Sequence, residues 1–306
     1  MHILVTGGAG FIGSHICDAL IANGHTVSVV DNLSTGTMDN LPDGVSFHKL
    51  DIRDSGVEAL WAKERFDLMI HTAAQMDVRK SVEDPVYDAD VNLKGTLQLL
   101  EAGRKNGLKK VVFLSSGGAG YDDSVPFPTP ESVPMRPVSP YGIAKATTEL
   151  HLRFYHIEYD IQYIALRLGN IYGPRQNPHG EAGVIAIFCN RLLQDQSVTI
   201  HGDGMQTRDY VYVGDVVRAV EAAMKTDFNG SLNIGTSVET NVVDLYQALR
   251  DASRIDKDPV HGPAKPGEVR RSCLDVSQAE AILGWKAQVP FHEGVKRTWE
   301  FFQNKR

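Results

Sequence analysis

The feature that most constrains the fold is the stretch HILVTGGAGFIGSH at residues 2–15. A short apolar run passes straight into glycines spaced three apart, Gly7, Gly10 and Gly13, and then into FIGSHICDALIANG, whose apolar residues recur at helical spacing. Strand, glycine turn and helix in that order suit a parallel sheet whose strands are joined by crossover helices. The first half of the chain repeats the theme. Apolar runs at 25–30, 45–50, 66–71, 110–115 and 161–167 alternate with the amphipathic stretches GVEALWAKER, DADVNLKGTLQLLEAGRKNG and YGIAKATTELHLRFYH. The alternation predicts an α/β fold: a doubly wound parallel sheet with helices on both faces.

After about residue 170 the pattern changes. YGPRQNPHGEAG reads as a loop, followed by a helix over 184–194, short strands near 198–200 and 231–234, and a second loop, HGPAKPGEVRRS, at 261–272. The expected organisation is a nucleotide-binding domain at 1–170, with segments near 211–235 returning to its sheet. A smaller, interleaved α/β substrate-binding domain is expected from 171–306.

The glycines have distinct expected uses. Gly7 allows a tight turn, Gly10 lets the backbone approach a pyrophosphate, and Gly13 lets helix and strand pack closely. The spacing is G-x-x-G-x-x-G, and by itself it also fits a plain glycine turn. The next strand, in VSVVDN, ends on Asp31, where a carboxylate accepts hydrogen bonds from both hydroxyls of an adenosine ribose and repels an added phosphate. Turn and acid together predict a Rossmann-type dinucleotide site that takes NAD in preference to NADP.

Bulk charge narrows the partners. The 306 residues carry 38 acidic and 31 basic side chains, a net charge of −7, which argues against nucleic acid or an anionic membrane as the main partner. Cys17, Cys189 and Cys273 are far apart and show neither a metal spacing nor a disulfide framework. No secretory signal and no run of membrane-spanning length is recognisable, so a cytoplasmic protein is expected. The 11 histidines, His179 in the polar loop among them, show no ligand spacing, and no metal site is expected.

SPYGIAKATTE sets Tyr141 and Lys145 one helical turn apart on one face. An ammonium beside a phenol stabilises the phenolate, which turns tyrosine into a usable base toward an alcohol. The spacing alone is also that of an ordinary helix start after Pro140. What gives it weight is order: glycine turn, acid, a strand ending in serines, then tyrosine and lysine.

With these residues in place, the chain resembles the extended short-chain dehydrogenase/reductase family, and within it the UDP-glucose 4-epimerase group. The carriers are TGGAGFIGSH, DN at 31–32, DIRD, HTAAQ, VNLKGT, SPYGIAK, RLGNIYGPRQ, GDGMQTRDYVYVGD and PGEVRRSCLD. The resemblance implies an NAD site lined by Gly7, Gly10, Phe11, Ile12, Gly13, Asp31, Asn32, Asp51, Ile52, Ala73, Ala74, Gln75, Asn92, Ser115, Tyr141 and Lys145. Asn92 would also support the active-site helix. It implies a UDP-sugar held by Asn170 and Arg208, whose guanidinium fork suits a diphosphate. It also implies a homodimer built by pairing helices around 86–106 and 140–158 into a four-helix bundle. The family's arginine two residues before a Gly-Asp pair is replaced by Lys265 before Gly267–Glu268, so Arg270 is expected to take the phosphate contact.

Related enzymes share oxidation at C4 of the sugar and then diverge. The dehydratases and UDP-glucuronate decarboxylases that this scaffold resembles carry acids in the turn after the fifth strand. Gly117, Gly118 and Ala119 stand there instead and cannot act as acids or bases. The expected reaction is therefore 4-epimerisation of a UDP-hexose: oxidation by NAD, turnover of the 4-keto sugar, and hydride return. The rivals are a UDP-hexuronate 4-epimerase and a non-catalytic NAD-binding sensor. Ser272 is small at the position that limits the C2 substituent in the family, so N-acetylated sugars are expected to fit. The family's catalytic hydroxyl position falls on Gly117. Either Ser116 supplies the hydroxyl, which the following glycines favour, or Tyr141 works with a water.

Overall fold

The computed structural model describes residues 1–122, 124–179, 183–264 and 269–305. Seven strands build the central sheet: β1 (His2–Thr6), β2 (Thr26–Asp31), β3 (Ser46–Lys49), β4 (Leu68–His71), β5 (Lys110–Ser116), β6 (Gln162–Leu168) and, much later in the chain, one at Gly230–Ile234. The spatial order is β3-β2-β1-β4-β5-β6 followed by the late strand, and every pair is parallel. The winding direction reverses between β1 and β4. In open sheets of this kind that is where a crevice forms beyond the carboxyl ends of the strands.

Period-two alternation divides the core cleanly. Ile3 and Val5, Leu68 and Ile70, Val112 and Leu114 face one side, with Ile16, Cys17 and Leu20 of the helix Phe11–Ala22 (α1). Leu4, Met69, Val111 and Phe113 face the other, against Trp61 of Gly56–Glu64 (α2) and helices further on. Both faces are covered, so the strands read as nearly continuous apolar runs.

The second face is completed by Val78–Glu83 (α3), Pro85–Ala89 (α4), a π turn at Asp90–Gly95, Thr96–Lys105 (α5) and Pro140–Tyr159 (α6). The single stretch expected around 86–106 is thus broken by a π turn, a feature that often re-aims side chains at functional sites. A third apolar cluster, away from the sheet, gathers Val184–Leu193 (α7), Val242–Ser253 and the C-terminal helix Phe291–Asn304 around Phe188, Leu245 and Trp299.

The glycine turn shows why its spacing matters. Gly7 has φ +72°, the left-handed region that favours glycine. A Cβ on Gly13 would lie 2.2 Å from the Gly7 carbonyl oxygen and 2.9 Å from Gly8 Cα, so α1 starts directly against β1. Gly13→Ala is therefore expected to destabilise the fold by about 2 kcal/mol or more through overpacking of backbone on backbone. Urea unfolding of the variant checks this, and parent-like stability would contradict the contact.

Candidate active site

Three loops meet at the switch point. Asp31, 8% exposed at the end of β2, accepts from Ala9 N at 3.0 Å and from Leu33 N at 2.7 Å. Two backbone amides thus fix its carboxylate beside the glycine turn and leave lone pairs for further donors. A Cβ on Gly10 would meet only the Gly7 carbonyl, at 3.2 Å, and the first turn of α1 has neither a side-chain cap nor an acid. Open space over uncapped helix N–H groups fits a pyrophosphate. Phe11 and Ile12 are half-buried in that turn. Asn32 donates to Asp51 Oδ2 at 2.8 Å, and the hydrogen bond from Arg53 holds the Asp51 carboxyl far below its usual range. Ile52 is buried behind them.

The loop after β4 carries Ala73, Ala74 and Gln75. Asn92, in the π turn, takes Gln75 N at 2.8 Å and donates to Gln75 O at 2.9 Å, and its amide also reaches Asp88 Oδ1. Its amide clamps the 73–75 loop, while the π-turn backbone packs against α6.

Tyr141 and Lys145 lie on the first turns of α6, which Ser139 caps through Gly142 N with Pro140 at its start. Lys145 is 5% exposed. Its Nζ donates to Leu114 O at 2.8 Å, stands 4.6 Å above the Phe113 ring centroid and 5.6 Å from that of Tyr141. Burial pushes the ammonium down from the ordinary 10.5 to about 8, against the opposing pull of Asp88 and Glu149. On the neighbouring strand end, His71 is stacked on Phe113 and hydrogen-bonded to Thr6 and Thr96. Burial first, and the Lys145 charge second, push it down to about 3, so it stays neutral.

Opposite α6 lies the turn after β5. Ser116 Oγ accepts from Ala119 N at 3.1 Å, which leaves its own proton free to donate. A Cβ on Gly142 would lie 2.3 Å from Ala119 O, so the turn rests on the start of α6. Ser115, expected beside the cofactor, donates its hydroxyl to buried Glu149 at 2.5 Å.

Two of the expected substrate residues, Asn170 and Ser272, lie beside the same turn. A Cβ on Gly118 would stand 3.6 Å from Asn170 Oδ1 and 4.0 Å from Ser272 Oγ. Asn170 begins the strand Asn170–Tyr172 (β7), and Ser272 is 7% exposed. Arg208 lies half-buried in a two-residue strand, with Thr207 N donating to Arg270 O at 3.0 Å, so the two arginines sit on adjacent segments. The Arg270 guanidinium forks onto Asp203 at 2.8 and 2.9 Å in an exposed pair of the kind that exchanges easily. Lys265, Gly267 and Glu268 lie outside the described residues.

Sequence reasoning missed Asp209, Glu149, Arg167 and Tyr121. Asp209, fully buried beside Arg208, accepts from Thr236, Ser237 and Leu274, tying the arginine strand to the Ser272 segment. Glu149 was legible in principle, since it follows Tyr141 and Lys145 at the same four-residue interval.

Comparison with known proteins decides the family. The model described as the NAD dependent epimerase/dehydratase family matches residues 3–235. The chain belongs to this family. It is 44% identical over 311 residues to a UDP-glucose 4-epimerase of Mycolicibacterium smegmatis, covering 100% of this chain and 99% of that one. Among solved structures, UDP-glucose 4-epimerase from Thermotoga maritima with UDP-glucose matches at TM-score 0.98 and 48% identity, covering 100% of this chain and 99% of that one. The Thermus thermophilus UDP-glucose 4-epimerase in complex with NAD matches at 0.94 and 45%, with 100% of each chain covered. Among the described residues of this family member, no three His, Cys, Asp or Glu side chains gather as metal ligands would, and no helix is long and apolar enough to cross a membrane.

The buried ammonium has a consequence for stability. A lysine whose folded value lies below its unfolded one costs stability while it is charged. That cost is released as pH rises from about 8 to about 10.5, because there the unfolded chain holds a proton that the folded chain has given up. Lys145→Met should accordingly be more stable than the parent at neutral pH, by on the order of 1–3 kcal/mol, with the gap closing toward pH 10.5. Urea unfolding at several pH values checks it; a variant less stable than the parent at neutral pH would count against a desolvated ammonium.

Proposed function

We propose that this chain is an NAD-dependent 4-epimerase of UDP-hexoses. The observation that carries the reading is the Tyr141–Lys145 pair set against a turn, Ser116 to Ala119, that holds a hydroxyl and no carboxylate. NAD, when bound, supplies a hydride acceptor and donor for C4 of the sugar. Tyr141 takes the proton of the C4 hydroxyl and later returns it, and the Lys145 ammonium stabilises the phenolate between those events. Ser116 donates a hydrogen bond to the same sugar oxygen and keeps its proton. The cradle of Gly7, Gly10, Gly13 and Asp31 suits the dinucleotide, with Asn32, Asp51 and Ile52 at its adenine end. No residue in the turn can expel a leaving group, which favours simple return of the hydride over dehydration or decarboxylation.

Asn170, Arg208 and Arg270 are assigned to the UDP diphosphate, Arg270 after releasing Asp203. Gly118 and Ser272 are both small and lie side by side, which supports room for a bulkier C2 substituent next to them, so N-acetylated hexoses are expected to be accepted alongside UDP-glucose and UDP-galactose. Residues 1–170 with the returning 211–235 segment form the NAD-binding unit, and most of 171–306 forms the sugar-nucleotide unit. The three cysteines are buried and free, in keeping with a cytoplasmic setting.

An exposed apolar stripe along α6, Ile143, Leu150, Phe154 and Ile157, recurs at helical spacing. Val82 and Val86 of α3 and α4 are exposed as well. Apolar patches of this sort mark association surfaces, and they support a homodimer built from a four-helix bundle. Leu150→Asp with Phe154→Asp should convert a dimer to a monomer in sedimentation equilibrium; an unchanged mass would refute that interface.

The central test is Tyr141→Phe with UDP-galactose followed by NMR. The parent should invert C4, and the variant should lose about 10²–10⁴-fold in rate while still binding NAD. A variant that turns over at the parent rate would remove Tyr141 from the chemistry.

A further inference from the structure

A single buried ion pair reaches both ends of the catalytic turn. Glu149, on α6 one helical turn beyond Lys145, pairs with Arg167 of β6 at 2.7 Å, and their side chains are 8% and 12% exposed. Ser115, just before the turn, donates to Glu149 Oε1 at 2.5 Å. Tyr121, just after it and 6% exposed, shares a 2.7 Å hydrogen bond in which Arg167 donates to the phenol oxygen. Ser231, in the late strand of the sheet, donates to the other Glu149 oxygen at 2.7 Å. The carboxylate thus joins three adjacent strands to the helix that bears Tyr141 and Lys145.

Between Ser115 and Tyr121 the turn is short and closed on itself. Gly117 N donates to Leu168 O at 2.9 Å, Gly120 N to Gly117 O at 3.2 Å, and Ala119 N to Ser116 Oγ. Backbone bonds to Leu168 O and the contact with the start of α6 hold its middle, but its glycines permit more than one path between those points, so the side-chain tethers at its two flanks also bear on where Ser116 sits. Burying a charge pair costs desolvation that an apolar pair of similar volume avoids, so stability alone does not account for Glu149 and Arg167 here.

We propose that the Glu149–Arg167 pair is the positioning element of the Ser116–Gly120 turn, acting through its tethers to Ser115 and Tyr121 to hold Ser116 in register with Tyr141. Glu149, Arg167 and Tyr121 are positioning residues that do not touch the sugar. The inference rests on the reading of Ser116 as the donor to the sugar oxygen.

A double-mutant cycle on the NAD-loaded enzyme tests it, because residues acting through one another lose additivity. Tyr121→Phe removes one oxygen and keeps the buried ring. In the parent it should lower kcat for UDP-galactose by about tenfold, a typical penalty for misplacing a reacting group by a fraction of an ångström. KM and NAD affinity should change by less than about threefold. In a Ser116→Ala background the same substitution should cost less than about twofold. Equal losses in both backgrounds, or no loss in the parent, would overturn the proposal. If Ser116→Ala alone ran at the parent rate, the Ser116 reading would fall, and that single variant reports it separately. Should Tyr121→Phe not fold, Ser115→Ala tests the other tether in the same cycle with the same expectation.

Discussion

The site depends on an ammonium that has been taken out of water. Lys145 is covered on every side, with one backbone carbonyl to donate to and the face of Phe113 beneath it. Such a charge persists only where the surroundings compensate it, and Asp88 and Glu149 both pull toward the charged form. The same desolvation strengthens its field at the Tyr141 ring, because little solvent intervenes. The lysine is therefore costly to the fold and useful to the chemistry for one reason.

That requirement explains much of the surrounding architecture. The strand order reverses between β1 and β4, so a crevice opens where the glycine turn, the 73–75 loop and the end of β5 meet. Helix α6 must lie against β5 closely enough for Lys145 to reach Leu114 O, and Glu149 secures it one turn further along through Ser115 and Arg167. His71 next door is kept neutral, which spares the cavity a second positive charge. The π turn at Asp90–Gly95 brings Asn92 round to clamp the loop at Gln75. Each device holds a polar group where water would otherwise have served it.

Much of this was legible in the sequence, for definable reasons. Short, nearly continuous apolar strands and helices with apolar residues at 3.6 spacing are local patterns, and the glycine and Asp31 positions follow from the backbone geometry of a single turn. Tyr141 and Lys145 share a helix, so their proximity needed no tertiary knowledge. Contacts between elements distant in sequence were another matter. The Glu149–Arg167–Tyr121 cluster depends on how α6 lies across β5 and β6. The hydrogen bond from Ser115 to Glu149 depends on the same packing. The π turn arises from one extra residue in a helical repeat and leaves no mark in composition, so the hold of Asn92 on Gln75 was not visible there. Asp203 beside Arg270 is a contact between two loops, which periodicity does not address.

One chemical step underlies the proposed function: inversion of C4 by removing and returning the same hydrogen. UDP-galactose carrying deuterium at C4 tests it directly. Incubated with the NAD-loaded protein in ordinary water, it should yield UDP-glucose with the deuterium still at C4, as read by NMR and mass spectrometry. Epimerised product whose C4 deuterium has been replaced by solvent hydrogen would contradict this hydride return, since that outcome requires C4 to lose a proton to water.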